Sequence, residues 1–137
     1  MAILSNDTDI ASLLRRSRTI AVVGLSDTPH RDSHRVALYL QKQGYVIIPV
    51  NPSVKEVLGQ AAFRDLESIG YAVDIVDIFR RPEYVPAIAG AAIRSGARAL
   101  WMQFDTVHED AAQRASDAGL DVVIDRCIMV EHRRLIA

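Results

Sequence analysis

Gly24, Ser26, Arg31 and Ser33 follow directly on the apolar run Ile20–Val23, and as a set they suit an anion. A glycine lets the backbone approach a ligand closely, while hydroxyls and a guanidinium bond well to phosphate oxygens. A helix opening near Ser33 adds its N–H groups and the positive end of its dipole at the same spot. The chemistry this spacing points to is phosphate binding. Asn51-Pro52, Phe79-Arg80, Gln103 and Arg126-Cys127 likewise come at or just past the ends of apolar runs, polar where the preceding residues are not.

Elements that would bring these residues together are readable along the chain. Apolar runs at Ile20–Val23, Val46–Val50, Val73–Phe79, Ala97–Met102 and Leu120–Ile124 are short and largely continuous, as in parallel strands covered on both faces. Helical patterns separate them. Ser33–Gln43 stops at Gly44, Glu83–Ser95 stops at Gly96, and Glu109–Ala118 stops at Gly119. An earlier helix over Asp7–Arg16 takes Asn6 or Ser5 as its N-cap. Ser53–Gly70 shows only Leu58-Gly59 and a weak helical turn around Asp65–Ile69. The expected fold class is α/β: a Rossmann-like, doubly wound parallel sheet of about five strands with helices on both faces, forming one domain over residues 1–137. With the runs numbered in chain order, the expected strand order is 3-2-1-4-5. The ligand crevice then lies past the carboxyl ends of the strands, at the switch between strands 1 and 4.

Composition narrows the function classes. The 137 residues carry a net charge of −1, which argues against a general nucleic-acid binder. One cysteine rules out an internal disulfide framework and suits a reducing compartment. No run approaches the ~20 apolar residues of a membrane span, and the N-terminus lacks the basic and apolar regions of a secretory signal. A cytoplasmic location is expected. A nicotinamide or flavin cofactor is disfavoured: Gly24 is followed by Leu25, Ser26, Asp27, Thr28 and Pro29, so the G-x-G-x-x-G fingerprint is missing. The acidic residue that would hold a ribose is replaced by Asn51-Pro52.

The blocks Ile20-Ala-Val-Val-Gly-Leu-Ser26, Arg31-Asp-Ser33, Gly44-Tyr-Val-Ile-Ile-Pro-Val-Asn-Pro52, Leu58-Gly59, Val73-Asp-Ile-Val-Asp-Ile-Phe-Arg80, Trp101-Met-Gln103 and Asp125-Arg-Cys-Ile128 stand in an informative order and spacing. In these the chain resembles the small, single-domain coenzyme A-binding proteins, similar to the N-terminal nucleotide-binding domain of the succinyl-CoA synthetase alpha subunit. The resemblance implies coenzyme A across the strand ends; on the residues themselves, none is singled out as catalytic or as a metal ligand. Gly24, Ser26 and Ser33 would then approach the phosphates, and Arg31 would pair with one of them. Asn51 and Pro52 would lie under the nucleotide. Phe79 would form an apolar wall and Arg80 supply a second cation, while Gln103 would meet the amides of the pantetheine arm. The family commonly has glycine two residues past the glutamine, where this chain has Asp105.

Simpler readings stand beside these. Gly24 and Pro52 shape turns, Ser33 caps its helix, Arg31 and Arg80 are solvated cations, and Trp101 belongs to the core. Cys127 is either an inert buried thiol or a partner for the thiol of coenzyme A. His30 and His34 lack a third metal ligand nearby, and Glu131-His-Arg-Arg134 reads as a solvated tail. The favoured function is a non-catalytic binder of coenzyme A or an acyl-CoA. The alternatives are a subunit or partner of a CoA ligase or acyl-transfer enzyme, and a scaffold that has lost its ligand. Homo-oligomers or a partner protein are compatible with each.

Overall fold

A computed structural model describes residues 3–137. Five parallel strands form the central sheet: β1 (Thr19–Val23), β2 (Val46–Val50), β5 (Ile75–Ile78), β6 (Ala99–Met102) and β7 (Asp121–Ile124). Between β2 and β5 lies a small antiparallel hairpin of β3 (Glu56–Val57) and β4 (Gln60–Ala61). The helices are α1 (Asp7–Arg16), α2 (Asp32–Lys42), α3 (Val85–Arg94), α4 (Glu109–Asp117) and α5 (Ile128–Leu135). Asn6 caps α1, its side chain accepting the Asp9 N–H at 2.9 Å. The helix patterns of the sequence thus recur as α1 to α4, each within a few residues of its expected ends.

Alternate residues of each strand enter opposite cores. Ala21, Val23, Ile48, Val50, Val76, Ile78, Leu100 and Met102 pack with Val85, Ala89 and Ala92 of α3 and Ala111, Ala112 and Ala115 of α4. Ile20, Val22, Ile47, Ile75, Ala99 and Trp101 pack with α1, α2 and Ile128 of α5. Helices therefore cover both faces, and Trp101 is a core residue, its indole N–H donating to the Arg126 carbonyl at 2.8 Å.

The strand order differs from expectation. The sheet reads β2-β1-β5-β6-β7, so the third long strand lies beside the first, and the order is 2-1-3-4-5 rather than 3-2-1-4-5. The reason lies in the segment after β2. Leu58 (φ 55°) and Gly59 (φ 76°) both take left-handed backbone, closing a tight hairpin turn. The chain beyond it returns along β2, where Phe63 donates to the Pro49 carbonyl and Asn51 donates to the Phe63 carbonyl. That occupies the place a third strand would have taken beside β2. The switch in strand order consequently falls between β1 and β5.

The expected solvated tail is also corrected. Glu131-His132-Arg133-Arg134 lies within α5, with Glu131 and His132 buried. His132 Nδ1 meets the Tyr39 hydroxyl at 2.9 Å, and its ring lies edge-on to Tyr39 and Tyr45. Glu131 accepts from Arg126 at 2.9 Å and Arg134 at 2.8 Å, and Arg134 also reaches Asp7 of α1. The Arg134 hydrogen bond, helped by Arg126, holds the Glu131 carboxyl below its ordinary pKa. A depressed carboxyl contributes stability above the unfolded-state pKa, and that contribution is lost as pH falls through the folded value. Glu131→Gln is expected to cost about 2 kcal/mol at neutral pH. In urea unfolding the gap to wild type should close below pH 4; a pH-independent gap would refute the pairing as its cause.

Candidate functional site

Three adjacent strand ends are tied together at the switch point. Gly24 N–H donates to the Val50 carbonyl at 2.8 Å, and Phe79 N–H donates to the Val23 carbonyl at 2.9 Å. Asn51 closes the crest from β2: its side-chain amide donates to the Leu25 carbonyl at 3.0 Å, and its carbonyl oxygen accepts Ser53 N–H at 2.9 Å. Gly24 has φ +89°, and a Cβ there would lie 2.5 Å from the Phe79 carbonyl oxygen and 2.9 Å from Arg80 Cδ. Only glycine fits this crossing.

On the α2 side of the crest is an open hollow of about 540 Å³, lined by Gly24, Ser26, Arg31, Ser33, Asn51 and Phe79 together with His30 and Asp32. Six of the ten residues singled out in the sequence therefore share one wall. Arg31, not Ser33, is the N-cap of α2, and no side chain caps this helix. The Ser33 hydroxyl turns back instead and accepts Ser26 N–H at 3.0 Å, while the Ser26 hydroxyl accepts Thr28 N–H at 3.0 Å. The loop is thereby shaped by its own hydroxyls, and the N–H groups of the first turn of α2 are left for an anion. The one carboxylate here, Asp32, is paired with Arg35. The Arg31 side chain is exposed and has no carboxylate partner among the described residues.

Pro52 and Arg80 face a second hollow, on the α3 side, of about 340 Å³. Val23, Val50, Leu66 and Ile88 form its floor, and Tyr84 stands at its edge. The Arg80 guanidinium lies 4.2 Å over the Tyr84 ring. Gln103 and Cys127 line neither hollow. Gln103 is buried, and its side-chain oxygen accepts the Ile128 N–H at 2.9 Å, joining the end of β6 to the start of α5. Cys127 is the buried N-cap residue of α5. Asp105, at the position where the resemblance has glycine, takes φ 64°, a left-handed conformation that aspartate tolerates better than most residues. The turn it makes is closed by Thr106, whose N–H and hydroxyl both donate to the Gln103 carbonyl.

Sequence reasoning missed His30, Asp32 and Tyr84 at these walls. The first two were readable as neighbours of Arg31, but no local signal marks Tyr84. Asp77 was missed as well. It stands in the middle of β5, is fully buried, and neither carboxylate oxygen has a hydrogen-bond partner. Its register partners are Val22 and Trp101, which place it on the α2 and α5 side of the sheet. Desolvation pushes its pKa well above the ordinary range.

Among the described residues no cluster of His, Cys, Asp and Glu could hold a metal ion, and no helix is long and apolar enough to cross a membrane. Residues 18–133 match the family model described as CoA binding domain. The chain is 44% identical to the uncharacterized protein YneT of Bacillus subtilis, over 90% of this chain and 92% of that one. A hypothetical protein from Pyrococcus horikoshii superposes with a TM-score of 0.94 at 37% identity, covering 100% of this chain and 98% of the other. At 20% identity, and therefore in fold alone, 84% of the chain superposes on 27% of a dinucleotide-forming acetyl-coenzyme A synthetase from Ca. Korarchaeum cryptofilum, with a TM-score of 0.72.

Proposed function

The chain belongs to the CoA binding domain family, and from that footing we propose that it is a non-catalytic binder of coenzyme A or an acyl-CoA. The observation that carries this reading is the hollow at the β1–α2 turn. It combines a glycine with no room for a side chain, an uncapped helix start and an exposed arginine. Those are the donors a pyrophosphate needs: backbone N–H groups that approach closely, and a fixed cation at the rim. Gly24, Ser26, Arg31 and Ser33 hold the phosphates, with Asn51 and Phe79 completing the wall. Gln103 and Cys127, buried past the ends of β6 and β7, line neither hollow. The one carboxylate lining the β1–α2 hollow, Asp32, is already paired with Arg35.

Isothermal titration with coenzyme A, acetyl-CoA, NAD and ATP tests the reading. Coenzyme A should bind most tightly, and the double variant Arg31→Ala/Ser33→Ala should weaken it by about 100-fold, since each charge-assisted or loop-forming hydrogen bond is worth about 1.5 kcal/mol. Equal affinity in the double variant would remove both residues from the site. No binding at millimolar coenzyme A would leave a scaffold with a nucleotide-binding shape. Binding that appears only with a co-purifying protein would make the chain the partner of a larger CoA enzyme.

A further inference from the structure

We propose that a hollow at the amino ends of β1 and β2, the edge of the sheet opposite Gly24, is a second binding site. Its ligand is a small oxyanion, a phosphate or carboxylate group, held by Arg15, Arg18 and His132. The site is independent of the coenzyme A reading. The hollow measures about 280 Å³ and lies where the C-terminal ends of α1, α2 and α5 converge. Arg15 is in the last turn of α1 and Arg18 stands just before β1. Both side chains are exposed, and neither has a carboxylate partner among the described residues. No aspartate or glutamate lines the hollow. Asp74, which accepts the Arg18 backbone N–H, lies outside the lining and is offset by Arg98.

Basic residues near a helix C-terminus often only offset the helix dipole, and that reading covers Arg15. It does not cover Arg18, which stands beyond the C-cap Ser17. His132 supplies an independent observation. It is 4% exposed and its Nδ1 meets the Tyr39 hydroxyl at 2.9 Å. Its Nε2 has no protein partner among the described residues, yet it is not sealed in the core. The ring lines the hollow, so the free nitrogen has the hollow as its outlet. Burial holds this imidazole below its ordinary pKa, hence neutral. With the Tyr39 hydroxyl donating to Nδ1, the one ring proton is on Nε2 and is offered to the hollow. Carbonyls that would repel an anion at these helix ends are already engaged. The Ser17 hydroxyl donates to the Leu13 carbonyl at 2.7 Å, the Tyr45 hydroxyl to Leu14 at 2.6 Å, and Tyr45 N–H to Leu40 at 3.2 Å. The donors that remain are two guanidinium forks and an imidazole N–H, a set that matches the oxygens of a phosphate or carboxylate.

The test follows the His132 imidazole by NMR at neutral pH. The full chain is titrated with inorganic phosphate and, separately, with succinate, in wild type, Arg15→Gln/Arg18→Gln and Arg31→Ala. In wild type the His132 signals should shift saturably with at least one of the two anions and report a proton on Nε2 in the complex. Saturation by phosphate alone assigns a phosphoryl ligand, and by succinate alone a carboxylate one. The double variant changes two exposed side chains and should weaken that binding by about tenfold or more, from the loss of charge-assisted hydrogen bonds. Arg31→Ala, in the hollow at the opposite edge, should leave it unchanged. His132 signals that stay fixed at millimolar concentrations of both anions would overturn the site. So would a proton on Nδ1 in the complex, or equal affinity in the double variant. Loss confined to Arg31→Ala would put the anion in the β1–α2 hollow and overturn the proposal as well. Coenzyme A titrations of the double variant should match wild type, so the two readings stand or fall separately.

Discussion

Asp77→Asn is expected to make the protein more stable at neutral pH and to have almost no effect at pH 4. The carboxyl of Asp77 is buried without a partner in the middle of β5, so the fold holds it in its neutral form. In the unfolded chain it ionises near the ordinary value of 3.8. A group whose pKa is raised in the folded state contributes stability that is complete below the unfolded value and is lost as pH rises toward the folded one. Each pH unit in that window costs wild type about 1.4 kcal/mol, and an amide of the same shape removes the titration. Urea midpoints from pH 4 to pH 8 should therefore fall for wild type relative to the variant, the two curves meeting at the acid end. Parallel curves would mean that Asp77 is ionised and partnered. Nearby titratable residues on that face of the sheet, Cys127, His132 and Tyr39, are present in both proteins and cancel in the difference.

Gly24→Ala is the second large effect, and it acts on fold and site together. A Cβ would be driven to 2.5 Å from the Phe79 carbonyl oxygen, and the backbone is already at φ +89°. Strain of the left-handed conformation costs about 1 kcal/mol, and separation of β1 from β5 raises the total to about 3 kcal/mol. Coenzyme A affinity should drop at least 100-fold, since both hollows share this crest. Gly44→Ala is the matched control. Its φ is +101°, but nothing lies within 4 Å of the added carbon. That variant should lose only the strain energy and bind normally. Equal losses in the two variants, by urea unfolding and titration, would show that the close approach to Phe79 is immaterial.

Much of the site was legible because its signals are local. An apolar run followed by Gly24, Ser26, Arg31 and Ser33 states its own geometry, and those residues meet in one hollow with Asn51 and Phe79. Pro52 and Arg80 were readable as residues at strand ends, but which face they serve was not, because adjacent residues at a strand end turn to opposite sides of the sheet. The role of Ser33 also escaped: cap and loop brace use the same hydroxyl, and only the position of Ser26 decides between them. Tyr84 was missed although it lies four residues past Arg80, because the stacking of the Arg80 guanidinium on its ring at 4.2 Å shows only in the structure.

By itself the sequence determined where strands and helices lie, because hydrophobic period, caps and glycine stops act within a few residues of one another. It also determined the glycine turn after β1. The tertiary structure alone decided which strand lies beside β1, because the hairpin at Leu58-Gly59 folds back along β2 and fills the competing place. Only that packing turned the charged Glu131–Arg134 segment into a buried helix face, by bringing Arg126 and Asp7 to it. It also left Asp77 without a partner. Such outcomes depend on which distant groups arrive, and pairing between distant segments is not written in the spacing of either one.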